Sequence, residues 1–111
     1  MNHPNYDPGT KDNDLAILKL VSPAPISNAV NIACLALDNS QTFEGVKMTI
    51  SGWGTTASGG SQSPDLKVGT VTGLSNWFCS RLYYGITPNK ICAGTDNFDT
   101  DTCQGDSGGC L

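Results

Sequence analysis

Positive charge is scarce in this sequence. Six Lys and Arg stand against ten Asp and Glu, which gives a net charge of -4 at neutral pH. With so few cations the chain offers no basic stripe for nucleic acid and no polybasic patch for a membrane surface. Its longest apolar stretches, residues 15–21 and 32–37, are too short to span a bilayer, and its N-terminal residues contain no hydrophobic segment of a secretory signal. We therefore expect no nucleic acid and no membrane among its partners.

Metal-binding patterns are also missing. The chain has one histidine, His3, and its five cysteines include no C-x-x-C pair. A zinc site is therefore a poor interpretation, and we expect no metal and no other cofactor. Five cysteines in so short a chain instead indicate structural disulfides and an oxidising, extracellular compartment. Because the count is odd, at least one cysteine lacks a partner in the chain.

No sustained helical periodicity is present, and thirteen glycines and six prolines punctuate short apolar runs. This pattern predicts strands and loops, spaced as in an antiparallel barrel or sandwich. The candidate strands are residues 15–21, 46–52, 66–72 and 90–93. One short helix is predicted over residues 76–84, with Ser75 or Asn76 as its cap and Gly85 as its end. The small, polar residues 55–64 predict a surface loop.

The segment CQGDSGG at residues 103–109 carries the strongest chemical signal. A serine hydroxyl is an effective nucleophile only when it is exposed, has a base beside it, and has backbone N–H groups facing the developing oxyanion. Gly105 has no Cβ, so its N–H can turn toward a substrate, and the N–H of Ser107 can complete an oxyanion hole. Ser107 is therefore the candidate nucleophile.

Two other interpretations of this segment stay open at this point. GDSGG is also compatible with a simple turn, because Gly, Asp and Ser are common in loops. Gly105, Ser107 and Gly109 also satisfy G-x-S-x-G, the nucleophile elbow of α/β-hydrolases. An elbow follows a buried apolar strand and opens a helix, however, whereas residues 96–104 are polar and Gly109 leads directly to the last residues of the chain.

Together with four other segments in the same order, CQGDSGG resembles the active-serine motif of the chymotrypsin/trypsin family. SGWG at 51–54 is similar to the stretch before that family's autolysis loop, and ICAG at 91–94 to the strand that feeds its specificity pocket. DNDLAILKL at 12–20 resembles the strand that delivers the triad aspartate, and HPNYD at 3–7 the surface stretch before it. The resemblance covers nearly all of the chain and implies an all-β fold. We expect residues 1–111 to be a partial double antiparallel β-barrel protease domain, truncated at both ends, with one short helix.

Matched position by position, the resemblance implies a serine endopeptidase that works through an acyl-enzyme. Ser107 would be the nucleophile and Asp14 the carboxylate that orients the catalytic imidazole. Gly105 and Ser107 would donate the oxyanion N–H groups. Asp101 matches the floor of the primary pocket, which implies cleavage after Arg or Lys. Asp106 matches the carboxylate that, in relatives, pairs with the ammonium freed by zymogen cleavage.

Each aspartate also has a simpler interpretation. An aspartate before an apolar strand, such as Asp14, is usually a cap or a solvated turn residue. Asp106 without its ammonium partner reads as a turn aspartate. Asp96, Asp99 and Asp101 are also compatible with a solvated acidic loop or a weak calcium site, although they lack the D-x-[DN]-x-[DN]-G pattern.

The sequence departs from the family in its general base. The family's catalytic histidine is not matched, since His3 falls in the surface stretch and is expected to be exposed. The chain by itself is therefore expected to be inactive.

The cysteines depart from the family as well. The resemblance implies a bridge between Cys79 and Cys92 across the short helix, and it leaves Cys34 and Cys103 for partners elsewhere. Cys110 stands where a proline usually follows GDSGG, and nothing in the pattern explains it.

The implied partners are protein or peptide substrates and protease inhibitors, and the implied location is extracellular. The alternative function is a non-catalytic protease homologue that acts as a binding module. A third interpretation is an independent small β-domain. Joint retention of Ser107, Asp14, Asp101 and Gly105 favours the enzyme. The unpaired cysteines weigh against the independent domain.

Overall fold

A computed structural model describes residues 1–38, 40–97 and 99–111. Its regular elements are, in chain order, β1 (Lys47–Gly52), β2 (Lys67–Leu74), α1 (Asn76–Cys79) and β3 (Cys92–Gly94). The strands form one antiparallel sheet in the order β1-β2-β3, and this sheet is not closed. The predicted all-β class is confirmed, with a partial barrel and very little helix. No helix in the described residues is both long and apolar enough to cross a membrane.

The core of the molecule is small and lies on one face of this sheet. Val71 of β2 is paired with Met48 of β1, and Ile50 lies two residues after Met48 in β1. Because side chains alternate across a strand, these three residues share one face. Val71 and Ile50 are only 3% and 8% exposed. They anchor β1 against β2, and β1 ends at Gly52, within the SGWG segment.

The helix α1 is shorter than the predicted one. Its first turn is capped as expected, since the Ser75 hydroxyl accepts the Phe78 N–H at 3.2 Å. The helix ends at Cys79, after which the N–H groups of Leu82 and Tyr83 both donate to the Cys79 carbonyl. The prediction of a helix to residue 84 is therefore wrong in its second half. A segment this short depends on packing, and Cys79 is its only buried residue.

The predicted disulfide is confirmed. Cys79 and Cys92 are bonded, and their Cα atoms lie 6.5 Å apart. The bridge ties the end of α1 to the start of β3 and closes the loop between them. Cys34, Cys103 and Cys110 are free in this structure.

Three of the four predicted strands are present, with ends shifted by up to two residues. The strand predicted over residues 15–21 is wrong. In its place the structure has one isolated bridge between Ala16 and Asn2, and an N–H···O bond from Ile17 to Met1 at 2.8 Å. A strand needs a neighbour for its backbone groups, and the described residues offer this segment nothing longer than residues 1–3.

The stretch that follows is apolar and uncovered. Leu18 is 84% exposed and Leu35 is 80% exposed, and the other large apolar side chains between them are exposed as well. Residues 1–38 therefore contribute nothing to the buried core.

Candidate active site

Ser107 lies in an exposed loop that local hydrogen bonds hold in shape. The N–H of Asp106 donates to the Cys103 carbonyl at 3.0 Å, and the N–H of Gly109 donates to the Asp106 carbonyl at 2.9 Å. Ser107 lies within the second of these two turns. Its side chain is exposed, which a nucleophile requires.

Gly105 occupies a backbone conformation that other residues rarely adopt. Its φ is +98°, and a Cβ at this position would lie 2.7 Å from the Gln62 Nε2 atom. The conformation therefore requires glycine, whereas the Gln62 side chain could move away from a Cβ. Within the described residues, neither the Gly105 N–H nor the Ser107 N–H donates to a protein acceptor. Both donors thus remain available, which is a condition for an oxyanion hole.

The Asp106 carboxylate is held by backbone N–H groups. Its Oδ1 atom accepts from Gly54 at 2.7 Å, and its Oδ2 atom accepts from Cys103 at 2.9 Å. A Cβ at Gly54 would lie 2.5 Å from the Asp106 carboxylate, so only glycine admits this approach. The terminal ammonium of Met1 is not its partner, because it donates to the Ile17 carbonyl at 2.7 Å.

Further bonds join the SGWG segment to the active-serine loop. The Thr55 N–H donates to the Gln104 carbonyl at 2.9 Å, and the Thr55 hydroxyl lies 3.0 Å from the Cys103 sulfur. Sequence reasoning treated SGWG and CQGDSGG as separate motifs and missed their contact. The signal in the sequence was the glycine pair that brackets Trp53, because closely spaced glycines often mark the approach of another chain segment.

Asp101 is exposed and lies on the wall of a cavity of about 200 Å³. Asp106 lines the same cavity, together with apolar groups that include Ile91 and Ala93. One Asp101 oxygen accepts the N–H of Thr102 at 2.7 Å, which leaves the rest of the carboxylate open to solvent. Across the described ranges, no three His, Cys, Asp or Glu side chains are grouped as a metal site would require.

No hydrogen bond connects Asp14 and Ser107 among the described residues. In the part of the chain that the structure describes, neither the Asp14 carboxylate nor the Ser107 hydroxyl forms a hydrogen bond. His3, which we expected to be exposed, is half-buried. The backbone N–H of His3 donates to the Leu15 carbonyl at 2.9 Å, and the Nδ1 atom of its ring accepts the Asn5 backbone N–H at 3.1 Å. The N-terminal residues pair with residues 15–17, so that His3 is not part of a free terminus.

Comparison with known proteins identifies the family. The family model described as Trypsin matches residues 1–111. Trypsin of Sus scrofa is 43% identical over 109 residues, which are 96% of this chain and 46% of that protein. Transmembrane protease serine 9 of Rattus norvegicus is 38% identical over 111 residues, which are 98% of this chain and 10% of that protein.

A solved structure agrees with these sequences. The structure described as "Structure of GrC" aligns with a TM-score of 0.88 over 100% of this chain and 50% of that chain, at 28% identity. The chain thus spans about half the length, or less, of the relatives it matches. Since the family match extends over residues 1–111 and the fold agrees with that of a solved relative, the chain belongs to the trypsin family of serine proteases.

Proposed function

We propose that this chain provides the nucleophile, the triad carboxylate and the specificity carboxylate of a secreted, trypsin-like serine endopeptidase. Residues 1–111 form part of one protease domain in this proposal. The Ser107 hydroxyl attacks the peptide carbonyl while a base takes its proton, the amine leaves with a proton, and an acyl-enzyme remains. Water then hydrolyses the ester and restores Ser107.

The observation that carries this proposal is the state of the active-serine loop. Asp106 is fastened to the Gly54 and Cys103 N–H groups, at 2.7 and 2.9 Å. Ser107 next to it is exposed, and the N–H groups of Gly105 and Ser107 donate to no described protein group. A fixed loop with an exposed hydroxyl and two unused donors is the arrangement that acyl transfer needs. A plain surface turn has no need of the distant bond to Gly54.

The general base is proposed to be a histidine from another part of the full-length enzyme. Asp14 is proposed to orient and stabilise a histidine imidazole. His3 is not that residue, because its Nδ1 already accepts the Asn5 N–H. Without the base, the 111 residues alone are expected to retain at most the weak catalysis that an oxyanion hole supplies.

Asp101 is proposed to select Arg and Lys on the acyl side of the cleaved bond. A carboxylate on the wall of a pocket binds a guanidinium or ammonium group through charge-assisted hydrogen bonds. An apolar substrate side chain would leave that charge unpaired. Protein and peptide substrates, and inhibitors that imitate them, are the proposed partners.

The test uses the full-length protein with a fluorophosphonate probe and peptides that differ only in Arg, Lys or Phe before the cleaved bond. We expect the probe to label Ser107, the Arg and Lys peptides to be cleaved, and Ser107→Ala to abolish labelling and cleavage together. Ser61→Ala is the matched control, because Ser61 is also an exposed serine in a Gly-containing loop.

Two other results would redirect the proposal. Protein that is folded, unlabelled and inactive, but that still binds peptide inhibitors, indicates the non-catalytic homologue. Labelling with preferred cleavage after Phe keeps the protease and removes the assignment of Asp101.

A further inference from the structure

A small group of polar residues joins the N-terminal stretch to the rest of the molecule. One Asp12 oxygen accepts the Thr87 hydroxyl at 2.6 Å, and the other accepts the Asn89 side-chain amide at 3.1 Å. Asp12 and Thr87 are half-buried. The carboxylate is therefore bound at both oxygens by a segment that lies far away in sequence.

Lys90 adds a second connection beside the first. Its ammonium group donates to the Thr10 carbonyl and, at 2.5 Å, to the Gly85 carbonyl. One cation thus bridges the turn before Asp12 and the loop that carries Thr87. Thr10, Asp12, Thr87, Asn89 and Lys90 are called the polar clasp below.

The far side of the polar clasp is itself fixed. The Asn76 side-chain amide donates to the carbonyls of Thr87 and Lys90, at 3.0 and 2.9 Å. The disulfide between Cys79 and Cys92 closes the same loop covalently. The polar clasp therefore attaches a segment without a sheet partner to one of the best-anchored loops of the chain.

Apart from the polar clasp, the only hydrogen bonds between described residues that link 1–38 to the later part of the chain are local ones, from Ser40 and Gln41 to the Asp38 carboxylate. The backbone around Asp12 also needs outside support. Lys11 and Asn13, on either side of it, have φ of +58° and +54°. Non-glycine residues hold such conformations where surrounding contacts enforce them.

We propose that Asp12 is a positioning residue for Asp14, which lies two residues later on the same segment. By holding residues 10–13 against the loop 85–90, the polar clasp determines where the segment delivers the Asp14 carboxylate. The proposal rests on the proposed function, in which Asp14 orients the catalytic imidazole. A shift of about 1 Å in a group that orients the reacting atoms can lower the rate on the order of a hundredfold.

The charge state of Asp12 fits this arrangement. The Thr87 hydroxyl lowers the pKa of Asp12 below its ordinary value of 3.8, and the Asn89 amide and the charge of Lys90 lower it further. Partial burial and the neighbouring Asp7 carboxylate act in the opposite direction. Asp12 is therefore a carboxylate at neutral pH and can accept at both oxygens.

The test compares Asp12→Ala, Asp12→Asn and Thr87→Val in the full-length enzyme. We expect Asp12→Ala to lower kcat and the rate of Ser107 labelling by about tenfold or more, with KM within about twofold, because Asp14 is displaced while substrate contacts remain. Asp12→Asn keeps an oxygen for the Thr87 hydroxyl and should recover part of the loss. Thr87→Val should lower kcat in the same way. It should add little to Asp12→Ala, since both changes remove the hydrogen bond from the Thr87 hydroxyl to the Asp12 carboxylate.

Asp7→Asn is the matched control. Asp7 lies in the same segment, but among the described residues its carboxylate accepts from groups of its own turn, Gly9 and Thr10, and not from the loop 85–90. We expect its kcat to stay within about twofold of the wild type. An equal loss in Asp7→Asn and Asp12→Ala, or a soluble Thr87→Val protein with unchanged kcat, would overturn the inference.

Hydrogen exchange separates this inference from the proposed function. The N–H of Ile17 donates to the Met1 carbonyl in wild type, and its exchange should become faster in Asp12→Ala. Faster exchange with unchanged kcat would mean that the polar clasp holds the segment without positioning Asp14, which overturns the inference alone. A folded wild-type protein that neither cleaves nor labels overturns the proposed function, and with it the catalytic part of the inference. If the Ile17 N–H also exchanged at the same rate in wild type and Asp12→Ala, the structural part of the inference would be overturned as well.

Discussion

Residues 1–38 and the later part of the chain each carry a candidate catalytic group, and they hold it in different ways. The later part contains the sheet, the disulfide and the buried residues, and its Ser107 loop is tied to Gly54 through Asp106. The earlier part contains Asp14 but no named strand, and its apolar side chains are exposed. Ser107 is thus supported by its own region, whereas Asp14 depends on a few polar contacts with a distant loop.

A catalytic geometry is most vulnerable where few contacts hold it. A loop supported by a sheet and a disulfide is held by several contacts at once, so that removal of one leaves the others in place. A segment without a ladder partner has only its few tertiary bonds, so each of them matters more. Experiments on each region can test this difference, and the largest effect is expected first.

The largest effect concerns the 111-residue chain produced alone. We expect it to aggregate rather than unfold cooperatively, because residues 15–37 expose a continuous series of large apolar side chains. Size-exclusion chromatography and thermal denaturation monitored by circular dichroism measure this. Replacing Leu18, Val21 and Leu35 by Ser should reduce aggregation. A monomeric chain with a sharp, reversible transition would contradict the prediction.

The next effect is on specificity in the full-length enzyme. Asp101→Ser should lower kcat/KM for Arg and Lys peptides by about a hundredfold or more, since a bound cation loses its partner in the pocket. Fluorophosphonate labelling of Ser107 should be unchanged, because the probe does not use that pocket. Asp96→Ser, at an exposed position in the same region, is the control and should leave both values unaltered. A loss of labelling in Asp101→Ser would mean that the loop itself is disturbed.

Removal of the disulfide tests the anchoring of the later region. Replacing both Cys79 and Cys92 by Ser opens a loop with a sequence separation of 13. A loop of this size contributes about 3 kcal/mol, which urea unfolding of the full-length protein measures. Cys34→Ser, at an exposed free cysteine, should change the free energy of unfolding by less than about 0.5 kcal/mol. Peptide mapping that finds Cys79 and Cys92 as free thiols would refute the bridge.

A smaller effect is expected from the contact between SGWG and the serine loop. Gly54→Ala would place a Cβ 2.5 Å from the Asp106 carboxylate, which must then move. We expect a loss of about 1 to 3 kcal/mol in unfolding free energy, with slower labelling of Ser107. Gly94→Ala is the control, because its Cβ would meet the Leu74 side chain at an ordinary 3.6 Å. Equal losses in the two variants would argue against a specific contact with Asp106.

The smallest effect is the pH dependence of the polar clasp. The folded-state pKa of Asp12 is below 3.8, mainly because the Thr87 hydroxyl donates to it. The contribution of Asp12 is therefore fully present above its unfolded value and is lost as the pH falls through the lower folded value. We expect limited proteolysis of residues 1–38 to become faster below pH 3.8 in wild type.

Two variants isolate the Asp12 titration. In Asp12→Ala, proteolysis of residues 1–38 should be fast already at neutral pH, because the carboxylate is absent. Asp7→Asn corrects for Asp7, whose pKa is lowered mainly by the Gly9 N–H. An acid response that is the same in wild type and Asp12→Ala would assign the effect to other carboxylates.

The local features of this protein follow from its sequence. Short apolar runs bounded by glycines and prolines predicted the strands of the sheet, and a cap at Ser75 or Asn76 predicted the start of α1, because turn formers and caps act over a few residues. The resemblance of five segments to one family, in the same order, indicated that family and implied the bridge between Cys79 and Cys92. The active-serine motif could be found because the chemistry of Ser107 requires glycines close to it in sequence.

Only the tertiary structure decided which distant segments meet. Residues 15–21 have the composition of a strand, but a strand forms only where another backbone accepts its hydrogen bonds, and composition does not specify that partner. The bond from Gly54 to Asp106 and the clasp around Asp12 join residues 52 and 75 to 80 positions apart. The sequence determined the local conformations and the chemical groups, and the three-dimensional fold determined that Asp106 is held by the SGWG segment while Asp14 depends on Asp12.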